Sequence, residues 1–259
     1  MLALLASVAL SPVAYGLAAG TAPTFQVGVT FDGFIPLFGG QEGKVEVQLT
    51  VQASGLDSKD AGNFRARAAI EDIEVKFNGA PMPVTLGNVR QFLPPSEVDF
   101  TPSGRILKIE APEVRLPVRL PGLDPKRLAD ISYLPIEFPE AGVQAGVPFE
   151  FKRSFNDSDV IYTVTPTSVT DDVIEMKLVA AQTYAYLEDE GLQAVKEERD
   201  AESRVETKLA GEGTATFDRK RGLVSRLEVK ATADSTVTNL RTQAKSERKL
   251  STVLAIRAQ

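Results

Sequence analysis

The sequence predicts a mainly β fold: a large curved antiparallel sheet or half-barrel in two pseudo-repeated halves, joined by a proline-rich crossover with a short helix. Three observations point there. Long stretches alternate apolar and polar residues with a period of two, most clearly Lys44 to Ala53 and Leu223 to Leu240. Turn dipeptides such as Asn78-Gly79, Ser103-Gly104 and Arg221-Gly222 separate such stretches. Twelve of the 16 prolines fall between Pro81 and Pro148, where the missing backbone donor opposes a regular ladder.

In chain order, residues 1–20 read as a signal peptide. No charged side chain precedes Asp32, Leu2 to Leu10 is apolar, Ser11-Pro12 breaks that run, and small residues follow. Ala14-Tyr15-Gly16 and Leu17-Ala18-Ala19 offer cleavage positions. No Lys or Arg precedes the apolar core, so the natural start is expected upstream of Met1. Pro12 and the small residues argue against a stable spanning helix.

Residues 21–110 form the N-terminal β half, with strands expected at Thr24 to Asp32, Lys44 to Ala53, Phe64 to Asn78 and Arg105 to Glu110. The apolar phase switches faces around Ile70 to Ile73, which predicts a bulge. Residues 111–145 are the crossover, with a helix expected from Asp124 as N-cap and Pro125 at its first position through Ile131. Residues 146–259 form the C-terminal β half. Its strands are expected at Phe149 to Phe155, Asp159 to Thr165, Asp172 to Leu187, Arg204 to Asp218, Leu223 to Leu240 and Ser246 to Arg257. The charged run Glu188 to Glu206 reads as solvated surface. Phe100 to Ile106 loosely parallels Phe217 to Val224, the basis for expecting a pseudo-repeat.

Two stretches resemble exported bacterial β-rich proteins of the domain-of-unknown-function type. One runs from Leu134-Pro135 through Pro139 to Val147-Pro148-Phe149. The other is Gly211-Glu212-Gly213 followed by Phe217-Asp218 and Gly222. A Trp often stands at the position of Phe149 in those sequences, and here it does not. The resemblance covers the C-terminal half and implies an architecture similar to the periplasmic lipoprotein-carrier half-barrels. It carries over no catalytic or binding residue.

Composition narrows the chemistry. The chain has no Cys, His or Trp, which excludes thiolate nucleophiles, disulfides, Ser-His-Asp triads and His-ligated zinc. Its 29 basic and 35 acidic residues give a net charge of −6, which argues against a nucleic-acid partner. Asn156-Asp157-Ser158-Asp159 has alternate oxygen ligands but lacks the glycine and distal glutamate of a calcium loop, so a tight hairpin is expected. Asp171-Asp172 likewise reads as a turn. Gly211-x-Gly213 lies inside an alternating strand, where close packing explains it better than phosphate binding. Met176, Leu178, Ala180, Tyr184 and Tyr186 share a strand face that would line a cavity if the sheet curves, or else fill a core.

The resulting expectation is an exported, periplasmic or extracellular protein of the bacterial envelope with no catalytic residue, metal or cofactor. Its expected partner is an apolar small molecule or lipid held in the curved sheet, at residues the sequence leaves unknown. The alternative is a structural module that pairs with another envelope protein through a sheet edge or exposed patch.

Overall fold

Period-two alternation places every second side chain on one face, and here that face is turned inward around a single core. The computed structural model describes residues 10–36, 40–112, 127–155 and 158–259. The strands are β1 (Thr24–Ile35), β2 (Gln41–Leu56), β3 (Phe64–Phe77), β4 (Ala80–Pro81), β5 (Ser96–Phe100) and β6 (Ile106–Glu110) in the first half. The second half contributes β7 (Phe149–Phe155), β8 (Ser158–Val169), β9 (Val173–Glu188), β10 (Ala194–Val195), β11 (Ser203–Asp218), β12 (Leu223–Asn239) and β13 (Lys245–Ala258). All 13 belong to one sheet, ordered β6-β5-β3-β2-β1-β13-β12-β11-β9-β8-β7, with β4 on β3 and β10 on β9. Every pairing between these strands is antiparallel.

The sheet is open, with β6 and β7 at its two edges. The first and last strands meet at its middle, where Val27 pairs with Ile256 and Val29 with Leu254. The first half therefore runs outward from the centre and the second half runs back inward. The likeness between the halves is thus one of strand composition rather than of shared topology.

The expected bulge in β3 is present: Thr50 faces Asp72 and Val51 faces Ile70, leaving Glu71 unpaired. Three expectations for the middle region change. Ser96–Phe100 is a strand despite the preceding Pro94-Pro95, because Val98 and Phe100 have an inner face to fill and β3 to pair with. The one helix of more than one turn among the described residues is α1 (Leu86–Phe92), before those prolines. The expected helix start at Asp124 to Lys126 lies outside the described residues, and Arg127 to Tyr133 continues as irregular turns.

Two segments outside the strands seal one end of the curve, the end where β1 begins and β13 finishes. From the crossover come Leu128, Tyr133, Leu134, Ile136 and Phe138, all buried. From the N-terminus come Val13, Tyr15 and Leu17, also buried. The Tyr15 ring lies 5.4 Å from Phe217, 6.0 Å from Phe138 and 6.5 Å from Phe100, and its hydroxyl donates to the Ile136 carbonyl at 2.8 Å. Backbone bonds fix the segment further: Ser11 and Val143 exchange two at 2.9 Å, Tyr15 donates to Pro102, and Gly16 donates to Gly222.

Glycine is required where this segment docks. A Cβ on Gly104 (φ 88°) would sit 2.5 Å from the Tyr15 ring, and one on Gly222 (φ 63°) would sit 2.4 Å from the Gly16 nitrogen. This bears on the sequence expectation of a signal peptide over residues 1–20. Residues 1–9 lie outside the described set, but cleavage at either small-residue position would remove Tyr15 from the centre of the aromatic cluster.

Candidate functional site

The inner face changes character along the strands. Near the sealed end, Met176 pairs with Ala215, Ala215 with Leu227, and Leu227 with Ile256, and all four are buried. Two residues further along each strand the row is Leu178, Gly213, Val229 and Leu254. The next row is Ala180, Gly211, Ala231 and Thr252. Side chains in these rows shrink to glycine, alanine and threonine. Val229, Ala231, Thr252 and Leu254 are half-buried although they face inward from central strands. The result is a shallow apolar trough beyond the plug.

The two glycines have a local cause. A Cβ on Gly213 would lie 2.2 Å from the Glu228 carbonyl oxygen, and one on Gly211 would lie 2.9 Å from the Ala231 Cβ. They permit close approach of β11 and β12, as expected for glycines inside a strand. The row from Met176 to Tyr186 expected to face one way does so. Met176 and Leu178 fill the core, Ala180 reaches the trough, and Tyr184 and Tyr186 stack at 6.3 Å beyond it.

Toward the far end the inner face mixes hydroxyls with apolar side chains, Val205 and Val237 being buried two residues beyond the hydroxyl row. Tyr184 pairs with Thr207, Thr207 with Ser235 and Ser235 with Arg248. The hydroxyls of Thr207 and Ser235 share a 2.8 Å hydrogen bond, and Tyr184 is hydrogen-bonded to Thr207. Burial raises the Tyr184 phenol above its ordinary value, so it is a neutral hydroxyl there. Arg248 donates to Glu188 at 2.8 Å, and its guanidinium lies 4.3 Å above the Phe34 ring. Glu188 is 2% exposed and Val205 is buried, so the charged run Glu188 to Glu206 is not solvated at these two positions. Sequence reasoning missed the Glu188–Arg248 pair because the partners are 60 residues apart on strands three places apart in the sheet.

A second buried charge network closes the seam between the sheet edges. Arg153 of β7 lies 3.0 Å from Asp130 and 2.6 Å from Glu137, and it donates to the Gly104 carbonyl at 3.0 Å. Arg127 holds Asp130 at 3.0 Å. Both acids are thus ion-paired to arginines. A cleft of about 280 Å³ lies over this seam, lined by Ser103, Arg105, Glu137, Phe138, Glu140 and Glu150 among others. Another of about 270 Å³ lies where Leu17, Ala22 and Arg221 meet. Both clefts belong to the sealed end, away from the trough.

The remaining sequence candidates are placed as follows. Asn156 and Asp157 lie outside the described residues; Phe155 pairs with Ser158, and Asp159 accepts a bond from Ser154 at 2.8 Å. Asp172 sits in the β8–β9 turn and pairs with Lys220 at 2.7 Å. Among the described residues no three His, Cys, Asp or Glu side chains are grouped to hold a metal ion, and no helix is long and apolar enough to cross a membrane.

No protein-family model matches this chain, and no curated protein matches it significantly. Nine chains of solved structures do match. One is a structure of lipovitellin described by its lipid–protein interactions, which superposes with a TM-score of 0.53 over 94% of this chain at 11% identity. This chain spans a quarter of that one. The likeness is one of fold: a large, mainly β, antiparallel sheet.

Proposed function

We propose that the chain is a non-catalytic, exported envelope protein that shelters an apolar ligand, such as a lipid chain, against the inner face of its sheet. The observation that carries this reading is the trough itself. Val229, Ala231 and Leu254 face inward from central strands yet stay half-buried, while same-facing neighbours toward the plug are sealed. Exposed apolar surface of this kind on a concave face is favourable to cover with an apolar partner. The fold likeness to a lipovitellin structure supports the reading as an analogy of architecture. The absence of His and Cys from the sequence, together with the ion-paired state of Asp130 and Glu137, supports a role without catalysis.

Export carries a constraint. Because Ser11 to Leu17 is built into the fold, any leader that is removed must end before Ser11. A second reading, pairing with another envelope protein, is favoured by Ile161 and Val179. These are 38% and 54% exposed on adjacent outer strands.

One experiment tests the set. Native mass spectrometry of the protein purified from its own host is expected to show a lipid-sized adduct on a chain whose N-terminus lies at or before Ser11. Ala231→Phe, which fills the trough, is expected to lose the adduct while keeping the wild-type circular dichroism spectrum. An adduct-free chain that also takes up no apolar probe would overturn ligand binding, and a stable protein partner in its place would favour the second reading.

A further inference from the structure

Residues 11–17 meet the rest of the chain as a bound peptide would. The strap alternates: Val13, Tyr15 and Leu17 are buried, while Pro12, Ala14 and Gly16 are exposed. Its bridge from Ser11 to Val143 lies outside the 13 strands, so the register of the sheet needs none of these residues. Its other backbone bonds go to the turns at Pro102 and Gly222, and Arg219 donates to the Pro12 carbonyl at 3.2 Å. Glycines clear its path. A Cβ on Gly142 would lie 2.4 Å from the Ser11 oxygen, and Gly104 and Gly222 leave room for Tyr15 and Gly16. What ties the strap to β1 is a reverse turn. The Thr21 amide and hydroxyl both donate to the Ala18 carbonyl, at 3.1 and 2.7 Å. Gly20 has φ 85°, a conformation for which such a turn calls on glycine, and residues 18–22 are all exposed.

We propose that the sealed end is a slot for an extended peptide, and that the same segment of a second copy of this chain exchanges into it. Opening the turn at residues 18–21 converts a bend into a tether, on which residues 17 to 24 span roughly 23 Å. A second copy offers identical side chains. Reciprocal exchange about a two-fold axis therefore refills both slots and leaves both sheets unchanged. Because the slot contacts are the same in either state, two things hold the single chain as the resting form: the closed turn and the high effective concentration of a tethered strap. The turn in its closed state depends on Gly20. A Cβ there would meet nothing within 4 Å, so a side chain at this position adds backbone strain alone and weighs only against the closed form.

The test is Gly20→Val in the full chain, read by analytical ultracentrifugation. Its dimerisation constant is expected to rise about tenfold or more over wild type. A synthetic peptide of residues 10–19 is expected to convert that dimer into peptide-bound monomer. The same peptide carrying Tyr15→Ala is expected to need about tenfold more, and one carrying Ala14→Ser, at an exposed position, to match the parent within about twofold. A Gly20→Val chain that folds only as a monomer overturns the proposal, and so does a dimer indifferent to the peptide. If Gly20→Val does not fold, wild type refolded from urea at low and high concentration decides. A dimer at high concentration that the peptide dissolves is the expected result, and monomer at every concentration overturns the exchange.

Discussion

The two ends of the same sheet solve the problem of a concave face differently. At the sealed end, segments far away in sequence are brought in to fill it: Tyr15 from the N-terminus, and Tyr133 and Phe138 from the crossover, packed on Phe100 and Phe217. At the far end the strands fill it with their own side chains, which shrink to Gly211, Ala231 and Thr252 before ending in hydroxyls and one ion pair. Strand alternation is common to both ends. What differs is how completely the inner face is covered: the plug end is sealed throughout, whereas at the far end Val205, Thr207 and Val237 are buried but Ala231, Leu250 and Leu254 stay half-buried.

The largest effect expected is at the plug. Tyr15→Ala removes a fully buried ring from an aromatic cluster and strands the space it filled, so it is expected to cost about 3–5 kcal/mol in urea unfolding. Leu250→Ala, on the half-buried far side, is expected to cost about half as much or less. Equal losses would mean that the two ends are sealed alike.

Next in size is the seam. Arg153→Met keeps the stem but removes the charge facing Asp130 and Glu137, and it also strips a donor from the Gly104 carbonyl. The expected loss is about 3 kcal/mol, because one buried acid keeps only Arg127 and the other loses its guanidinium. Restoring stability with Arg153→Met/Asp130→Asn/Glu137→Gln would show that unpaired charge, rather than lost packing, is the cause.

The sheet was readable in the sequence because period-two alternation is local: each long strand of the C-terminal half was placed within a few residues, as was the bulge near Glu71. Ser96–Phe100 was hidden because its five residues follow two prolines, and only pairing with β3 makes them a strand. The plug was hidden for a related reason. A run of apolar and small residues suits a signal peptide and a docked, glycine-lined segment equally, and the partners of Tyr15 at Phe138 and Phe217 lie more than a hundred residues away. Of the site, the inward row on β9 was legible from spacing. The Glu188–Arg248 pair and the Arg153 network were not, since no local pattern marks which charges in an acidic and basic chain will meet inside.

The smallest effect separates two tyrosines of the plug. Tyr15 donates its hydroxyl to Ile136, whereas the buried Tyr133 hydroxyl has no hydrogen-bond partner among the described residues. Tyr133→Phe is therefore expected to stabilise the protein by about 1 kcal/mol at pH 7, relieving an unsatisfied polar group at little change in volume. Burial raises the Tyr133 phenol well above its ordinary value, with the Asp130 charge adding to the shift. In the unfolded chain the phenol ionises near pH 10. Above that pH the folded state binds more protons than the unfolded one, so stability falls as pH rises; below it the contribution is fully present. Unfolding midpoints measured between pH 8 and pH 11 should thus drop less steeply for Tyr133→Phe than for wild type, leaving a residual slope from Tyr15, whose phenol burial also raises. A variant that is less stable at pH 7 and equally steep in alkali would mean that the Tyr133 hydroxyl is satisfied after all, and that the plug is uniformly packed.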